Sequence, residues 1–235
     1  MKKFLLTLIA LNSLLYGENI YATFTVAAAK DAKLAFVAGG IVSKLYVSVG
    51  SVVHKDELLA SLQNDDIKAI LASAKTTLKF AKRSLNRQQK VKKLIDEGTF
   101  DKVLSNYEKA KNAVAYQEAL YKKTYLKAPF DGVIYDKDIE IGDAVSGMMI
   151  KTVFKIQSQH ERKLIVEFDQ KYHNAVHVGD LYYYTIDGDS KKYSAPITKI
   201  YPYANFHNRK IRAEVATKDI MVGLFGDGTI VTGKE

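Results

Sequence analysis

The sequence predicts a mixed α and β, multidomain and elongated chain: a small β-sandwich split by an antiparallel α-helical coiled-coil hairpin, plus a small β-barrel. Three observations carry this. One pattern of glycines and alternating apolar residues occurs twice, 92 residues apart. Between the copies the apolar spacing changes from period two to a heptad. The last third alternates apolar and polar residues in short runs separated by turn residues.

The repeat organises the body. Gly40-Ile41-Val42 matches Gly132-Val133-Ile134, Val47 matches Ile139, Val49 matches Ile141, Gly50 matches Gly142 and Val53 matches Val145. Each copy alternates as a half-buried strand does, and its second glycine stands where a turn can require positive φ. A copy alone leaves one apolar face uncovered, so the two are expected to pack as a sandwich over residues 31–63 and 128–157.

The heptad predicts the insertion, residues 64–127. Ile67, Leu71, Ala74, Leu78, Ala81 and Leu85 form one stripe, and Val103, Tyr107, Ala110, Val114, Gln117, Tyr121 and Thr124 form a second. Both stripes are narrow, as a coiled-coil seam is, and each helix is polar elsewhere. Asn64 or Asp65 starts the first helix, Gly98 marks its stop and Asp101 is placed to cap the second. A link of about three residues, Gly98 to Phe100, forces the helices antiparallel. A first helix of roughly 30 residues would reach about 45 Å into solvent.

In the last third, Leu164, Val166 and Phe168 alternate, as do Tyr182, Tyr184 and Ile186 before an Asp187-Gly188 turn, and Ile211, Ala213 and Val215. These runs predict a barrel over residues 158–235. Residues 18–30 supply one more strand, either to the barrel or to a membrane-proximal region.

The N-terminus has the form of a cleaved secretory signal over residues 1–17: Met1 is followed by Lys2 and Lys3, then by an apolar run ending at Tyr16-Gly17. The run is too short to span a bilayer comfortably. The 235-residue chain has a net charge of +9. Removal of residues 1–17 leaves +7, of which residues 64–127 carry +8, from fifteen Lys or Arg against seven Asp or Glu, and the remainder −1. The basicity lies on the predicted projection, with only Phe80 among its densest cations rather than a series of aromatics for base stacking, so export and composition together argue against nucleic acid.

The absence of cysteine excludes disulfides, thiolate metal sites and thiol catalysis. No phosphate-cradling glycine loop or nucleophile motif occurs, so no enzyme and no cofactor are expected. His173 and His177 have the spacing that shares one face of a short connecting helix, with Asp169 four residues earlier. They support an alternative reading as an extracytoplasmic metal-binding protein. Met148 and Met149 are read as filling a gap in the core.

The segments GGIVSKLYVSVGSVVHKDELLASLQ and KAPFDGVIYDKDIEIGDAV resemble the split lipoyl-like halves of periplasmic membrane fusion proteins, the HlyD/AcrA-like adaptors of tripartite efflux pumps. KKLIDEGTFDKVLSNYEKAK is similar to their hairpin tip, and NRKIRAEVA with GLFGDGTIV to the end of their barrel. Ala128-Pro129-Phe130-Asp131-Gly132 is the most specific element, and Gly40, Gly50, Gly132 and Gly142 are the lipoyl-like turn glycines. Asp56 and Gly147-Met148 replace the usual second turn glycine, and Asp tolerates a left-handed backbone.

The resemblance implies a periplasmic adaptor at the inner membrane, with an RND-type transporter and a TolC-type outer-membrane channel as partners and three or six copies in a ring. In many of the family an Arg, a Leu and a Ser near the tip engage the channel; here these positions hold Lys90, Leu94 and Asp101. With Gly98, Thr99 and Phe100 they form the candidate docking tip. True lipoyl carriers hold a modified lysine in the turn joining the halves. Here the helical insertion replaces that turn, which argues against covalent cofactor carriage.

Overall fold

A computed structural model describes residues 18–91, 93 and 96–233. The expected signal, residues 1–17, and the candidate tip residue Leu94 lie outside the described residues. The described residues divide into two compact units, one of 18–31 with 157–233 and one within 32–156.

The described chain opens with β1 (Asn19–Ala28), β2 (Asp31–Leu34), β3 (Gly40–Leu45), β4 (Val52–Val53) and β5 (Leu58–Leu62). Two helices follow, α1 (Asp65–Lys90) and α2 (Glu97–Lys122). The chain returns through β6 (Tyr125–Lys127), β7 (Gly132–Lys137), β8 (Ala144–Val145) and β9 (Phe154–Gln157). It ends in β10 (Glu161–Asp169), a 3₁₀ turn (Gln170–Tyr172), β11 (Leu181–Ile186), β12 (Lys192–Asn205), β13 (Lys210–Lys218) and β14 (Phe225–Val231).

The sandwich consists of two four-stranded sheets, β2-β9-β7-β4 and β6-β5-β3-β8. Val42, Leu59 and Leu62 from one sheet and Val53, Ile134, Phe154 and Ile156 from the other share a core. The two sequence copies are exchanged rather than merely stacked. β3 of the first copy pairs with β8 of the second, Gly40 opposite Val145, and β4 pairs with β7, Val53 opposite Gly132. Hydrogen bonds repeat the exchange. The Gly50 N–H donates to the Ile134 carbonyl at 2.7 Å and the Gly142 N–H to the Val42 carbonyl at 2.9 Å. In return, the Ile134 N–H donates to Ser51 at 3.0 Å and the Val42 N–H to Asp143 at 2.9 Å.

Only two of the four expected turn glycines occupy these turns: φ is +88° at Gly50 and +95° at Gly142. Gly40 and Gly132 instead begin β3 and β7, because their partners across the exchange are strand residues. Asp56 takes φ +66° in the tight turn where the Glu57 N–H donates to the His54 carbonyl. Met148 and Met149 do not fill the core: they are 95% and 79% exposed, on the loop between β8 and β9.

The second unit is a closed six-stranded barrel in the order β1-β10-β13-β12-β11-β14. β1 therefore belongs to the barrel, paired on one side with β10 and on the other with β14. Alternation along each strand sends Ile20, Ala22, Phe24 and Val26 inward to meet Leu164, Val166, Phe168, Ala213 and Val215. Buried Tyr182 satisfies its hydroxyl by donating to the Ala22 carbonyl at 2.8 Å, and burial pushes this phenol far above its usual range.

An added Cβ at Gly50 or Gly142 meets nothing within 4 Å, so substitution there carries a purely backbone cost. Gly50→Ala and Gly142→Ala should each destabilise the sandwich by about 1–2 kcal/mol, and by similar amounts, because both positions are left-handed and both are open to a Cβ. Urea unfolding of the two variants measures this. One variant indistinguishable from the parent would show that the turns are not equivalent.

Candidate functional site

The hairpin is the site candidate. Every heptad position read from the sequence is buried or half-buried, with Leu71, Leu85, Ala110, Val114 and Thr124 the deepest. Most other positions of α1 and α2 face solvent, so the helices use their apolar stripes on each other. One ion pair crosses between them, Lys75 Nζ to Glu118 Oε1 at 2.9 Å, and its hydrogen bond and charge hold the Glu118 carboxyl below its usual range.

The base of the hairpin is fastened by side chains. Asn64 precedes α1 but its side chain does not cap it; its amide donates to Thr124 Oγ1 at 2.9 Å. Thr124 donates in turn to the Tyr121 carbonyl at 2.7 Å, and the Tyr121 and Tyr125 hydroxyls meet at 2.7 Å. The Tyr125 hydroxyl raises the Tyr121 phenol above its usual range.

The tip differs from the sequence expectation. α1 ends at Lys90, and the N–H of Val91 folds back to the Gln88 carbonyl. α2 begins at Glu97, so Gly98 does not stop the first helix; it lies in the first turn of the second. Asp101 is likewise inside α2, and the cap is Asp96, whose Oδ1 accepts from the Thr99 N–H at 2.9 Å. The physical reason is position. Asp96 stands three residues before an amide without an intrahelical partner, whereas from Phe100 onward the N–H groups reach carbonyls of the same helix, starting with that of Asp96.

Gly98 serves the cap: a Cβ there would approach Asp96 Oδ1 to 3.2 Å. The hydroxyl and backbone N–H of Thr99, with the Gly98 N–H, hold the Asp96 carboxyl below its usual range. Asp96 is the capping residue that the sequence reading passes over, although an Asp followed by an acidic first turn before a heptad run is a recognisable start signal. The structure thus brings Gly98, Thr99, Phe100 and Asp101 into one helical turn. Lys90 lies at the end of the other helix, and Lys90, Gly98, Thr99 and Asp101 are exposed.

The cationic side chains lie outside the seam. Lys75, Lys79, Lys82, Arg83, Arg87 and Lys90 are all exposed along α1, and the Arg83 guanidinium rests 5.7 Å over the Phe80 ring.

His173 and His177 do not share a helix face. His173 ends the 3₁₀ turn, and His177 lies beyond it with its N–H on Asp180 Oδ2 at 2.7 Å. Asp169 caps that turn by accepting from the Lys171 N–H. Among the described residues no three His, Asp or Glu side chains are grouped to hold a metal ion.

The family model of the CzcB-like, barrel-sandwich hybrid domain matches residues 30–157, the sandwich together with its helical insertion. The chain belongs to this family. The CzcB-like chain also aligns over 92% of its length with a MacA-MexA chimera carrying the Pseudomonas aeruginosa MexA α-hairpin domain, covering 82% of that chain at TM-score 0.85 and 19% identity. The membrane fusion protein Spr0693 of Streptococcus pneumoniae R6 gives TM-score 0.74 at 14% identity, with 92% of this chain and 100% of that one covered. MacA of Actinobacillus actinomycetemcomitans gives 0.72 at 21% identity, with 92% and 79% covered. At these identities the likeness is one of fold. No curated protein matches the sequence.

Replacing Asp96 with Ala should lower the melting temperature of the hairpin at neutral pH, while Asp101→Ala should leave it nearly unchanged. The folded-state pKa of Asp96 is depressed, so its charge contributes stability above the unfolded value and loses it as pH falls through the folded value. The gap between parent and Asp96→Ala, followed by circular dichroism, should therefore narrow below about pH 4.

Proposed function

We propose that this chain is a periplasmic adaptor, a membrane fusion protein that links an inner-membrane RND-type transporter to a TolC-type outer-membrane channel for export of drugs or other toxic compounds. The observation that carries this reading is the hairpin. Two 26-residue helices, each about 39 Å long, bury their seams against one another and present a capped tip to solvent. A helix pair of that kind has no use for the core of its own domain. It suits contact at a distance, with Lys90, Gly98, Thr99, Phe100 and Asp101 meeting the channel.

The function is mechanical and non-enzymatic. The β domains hold the transporter at the inner membrane, and several copies, three or six, surround the conduit, since a rotationally symmetric channel calls for a symmetric ring of adaptors. Lys90 supplies positive charge without the forked geometry of an arginine, so it suits a single carboxylate or carbonyl on the partner. The signal-like residues 1–17 support export. No observation favours the metal-binding alternative, since His173 and His177 converge on no third ligand among the described residues.

A photoreactive residue at Thr99, used in cells, tests the reading. Crosslinking should capture an outer-membrane channel, and the same group at Tyr116, 62% exposed on the flank of α2, should capture little or none of it. Capture of nucleic acid or only of cytoplasmic proteins from Thr99 would overturn it.

A further inference from the structure

The barrel carries an arm of its own. β12 runs for 14 residues but pairs with β11 only as far as Pro196; beyond that it follows β13, with register shifts between Ile197 and Lys199 and between Ile200 and Ala204. The arm closes in an ordered turn. The Arg209 N–H donates to the Asn205 carbonyl at 2.7 Å, and the side-chain oxygens of Asn205 and Asn208 accept from the backbone of His207 and Lys210. At the apex Phe206 is 85% exposed with its ring 3.9 Å from that of His207, and Tyr203 is 52% exposed.

Residues 199–212 contain Lys199, Arg209, Lys210 and Arg212 and no Asp or Glu. The acidic groups of the neighbouring strands are engaged elsewhere or only loosely. Glu214 accepts from Lys163 and from the Tyr201 hydroxyl, Asp169 accepts from the Lys171 N–H, and Glu167 lies 3.7 Å from Lys210. Arg212 covers the Tyr201 ring at 4.8 Å and donates to the Tyr203 hydroxyl. Arg209 forms no ion pair among the described residues.

Arg209 is also strained. Among the described residues three non-glycines have positive φ, and two of them, Asp56 and Asp219, are of a type that tolerates it; the third is Arg209, at +54°. Gly or Asn would serve the turn at lower cost, so a long cation at this strained position points to work done by its side chain. An exposed Phe at an apex where cations outnumber the neighbouring carboxylates is the composition that binds a bilayer boundary.

We propose that this arm docks the barrel onto an anionic phospholipid bilayer, with Phe206 seated at the headgroup boundary and Arg209 and Lys210 on lipid phosphates. The proposal rests on the reading of the chain as a protein associated with the inner membrane, and it is independent of channel docking at the helical tip.

The basic helices would draw the chain to anionic vesicles by themselves, so the test must report depth at a named residue. The sequence contains no tryptophan, and Phe206→Trp therefore installs a single reporter. With the chain from residue 18 onward and vesicles of phosphatidylglycerol mixed with phosphatidylcholine, its emission should shift to the blue and be quenched by brominated acyl chains. Phe80→Trp, on exposed α1, should show neither change. Arg209→Glu should weaken binding about tenfold or more, and phosphatidylcholine alone should bind little. Absence of binding, or binding with the Phe206→Trp emission unmoved, would overturn the proposal. Channel capture from Thr99 would survive that result, so the two readings fail separately.

Discussion

The exchange of hydrogen bonds between the two copies of the repeat is the constraint on which the sandwich and hairpin depend. Val42 and Ile134 each accept from the turn glycine of the other copy, and β3 and β7 each find a strand partner across the exchange. Neither copy completes its backbone pairing alone. The two ends of a long insertion are thereby brought to one place. β5 and β6 are paired, with Ser61 opposite Tyr125, and α1 and α2 begin and end within three residues of those strands. An antiparallel strand pair at the root sets the helices side by side and antiparallel before any seam contact forms.

The seam and the tip have different physics. Along the helices, stability comes from narrow apolar contact supplemented by the exposed Lys75–Glu118 pair, which is worth little by itself. At the tip the backbone groups of α2 that lack partners are met by Asp96, and Gly98 leaves room for its carboxylate. A capped turn holds Thr99, Phe100 and Asp101 in defined positions, as the proposed docking would require. The surplus of lysine and arginine keeps the flanks solvated, and it lies on faces the seam does not use.

The barrel achieves closure through its first and last strands. β1 comes from before the sandwich and β14 from the end of the chain, and their pairing removes the open edges that an isolated sheet would present. Two buried polar side chains are satisfied within it. Tyr182 donates to Ala22, and Arg162, almost wholly buried, donates to the carbonyls of Ser158, Gln159 and Ile220. A cation held by carbonyl oxygens instead of a carboxylate fixes the loops at one end of β10 without adding a second buried charge.

Local periodicity made much of this legible. The heptad from Ile67 to Leu85 and from Val103 to Thr124 named the seam residue by residue, because a helix repeats its environment every three or four positions. The same holds for the alternation at Leu164, Val166 and Phe168. The self-similarity of Gly40–Val53 and Gly132–Val145 announced two equivalent halves and two turns needing positive φ.

What periodicity does not encode is partnership. That the copies exchange strands, that Gly40 and Gly132 serve as strand residues, and that β1 completes the barrel are facts about pairing between segments far apart in sequence. Helix ends also escaped, since Gly98 and Asp101 match stop and cap signals that Asp96 pre-empts through one short hydrogen bond. His173 and His177 were separated by a 3₁₀ turn that ends too soon to align them, and Met148 and Met149 were left in solvent by the loop that carries them. Residue spacing thus determined the elements and their inward faces. Only the folded chain, by satisfying each backbone group with a particular distant partner, decided where those elements join and which side chains meet.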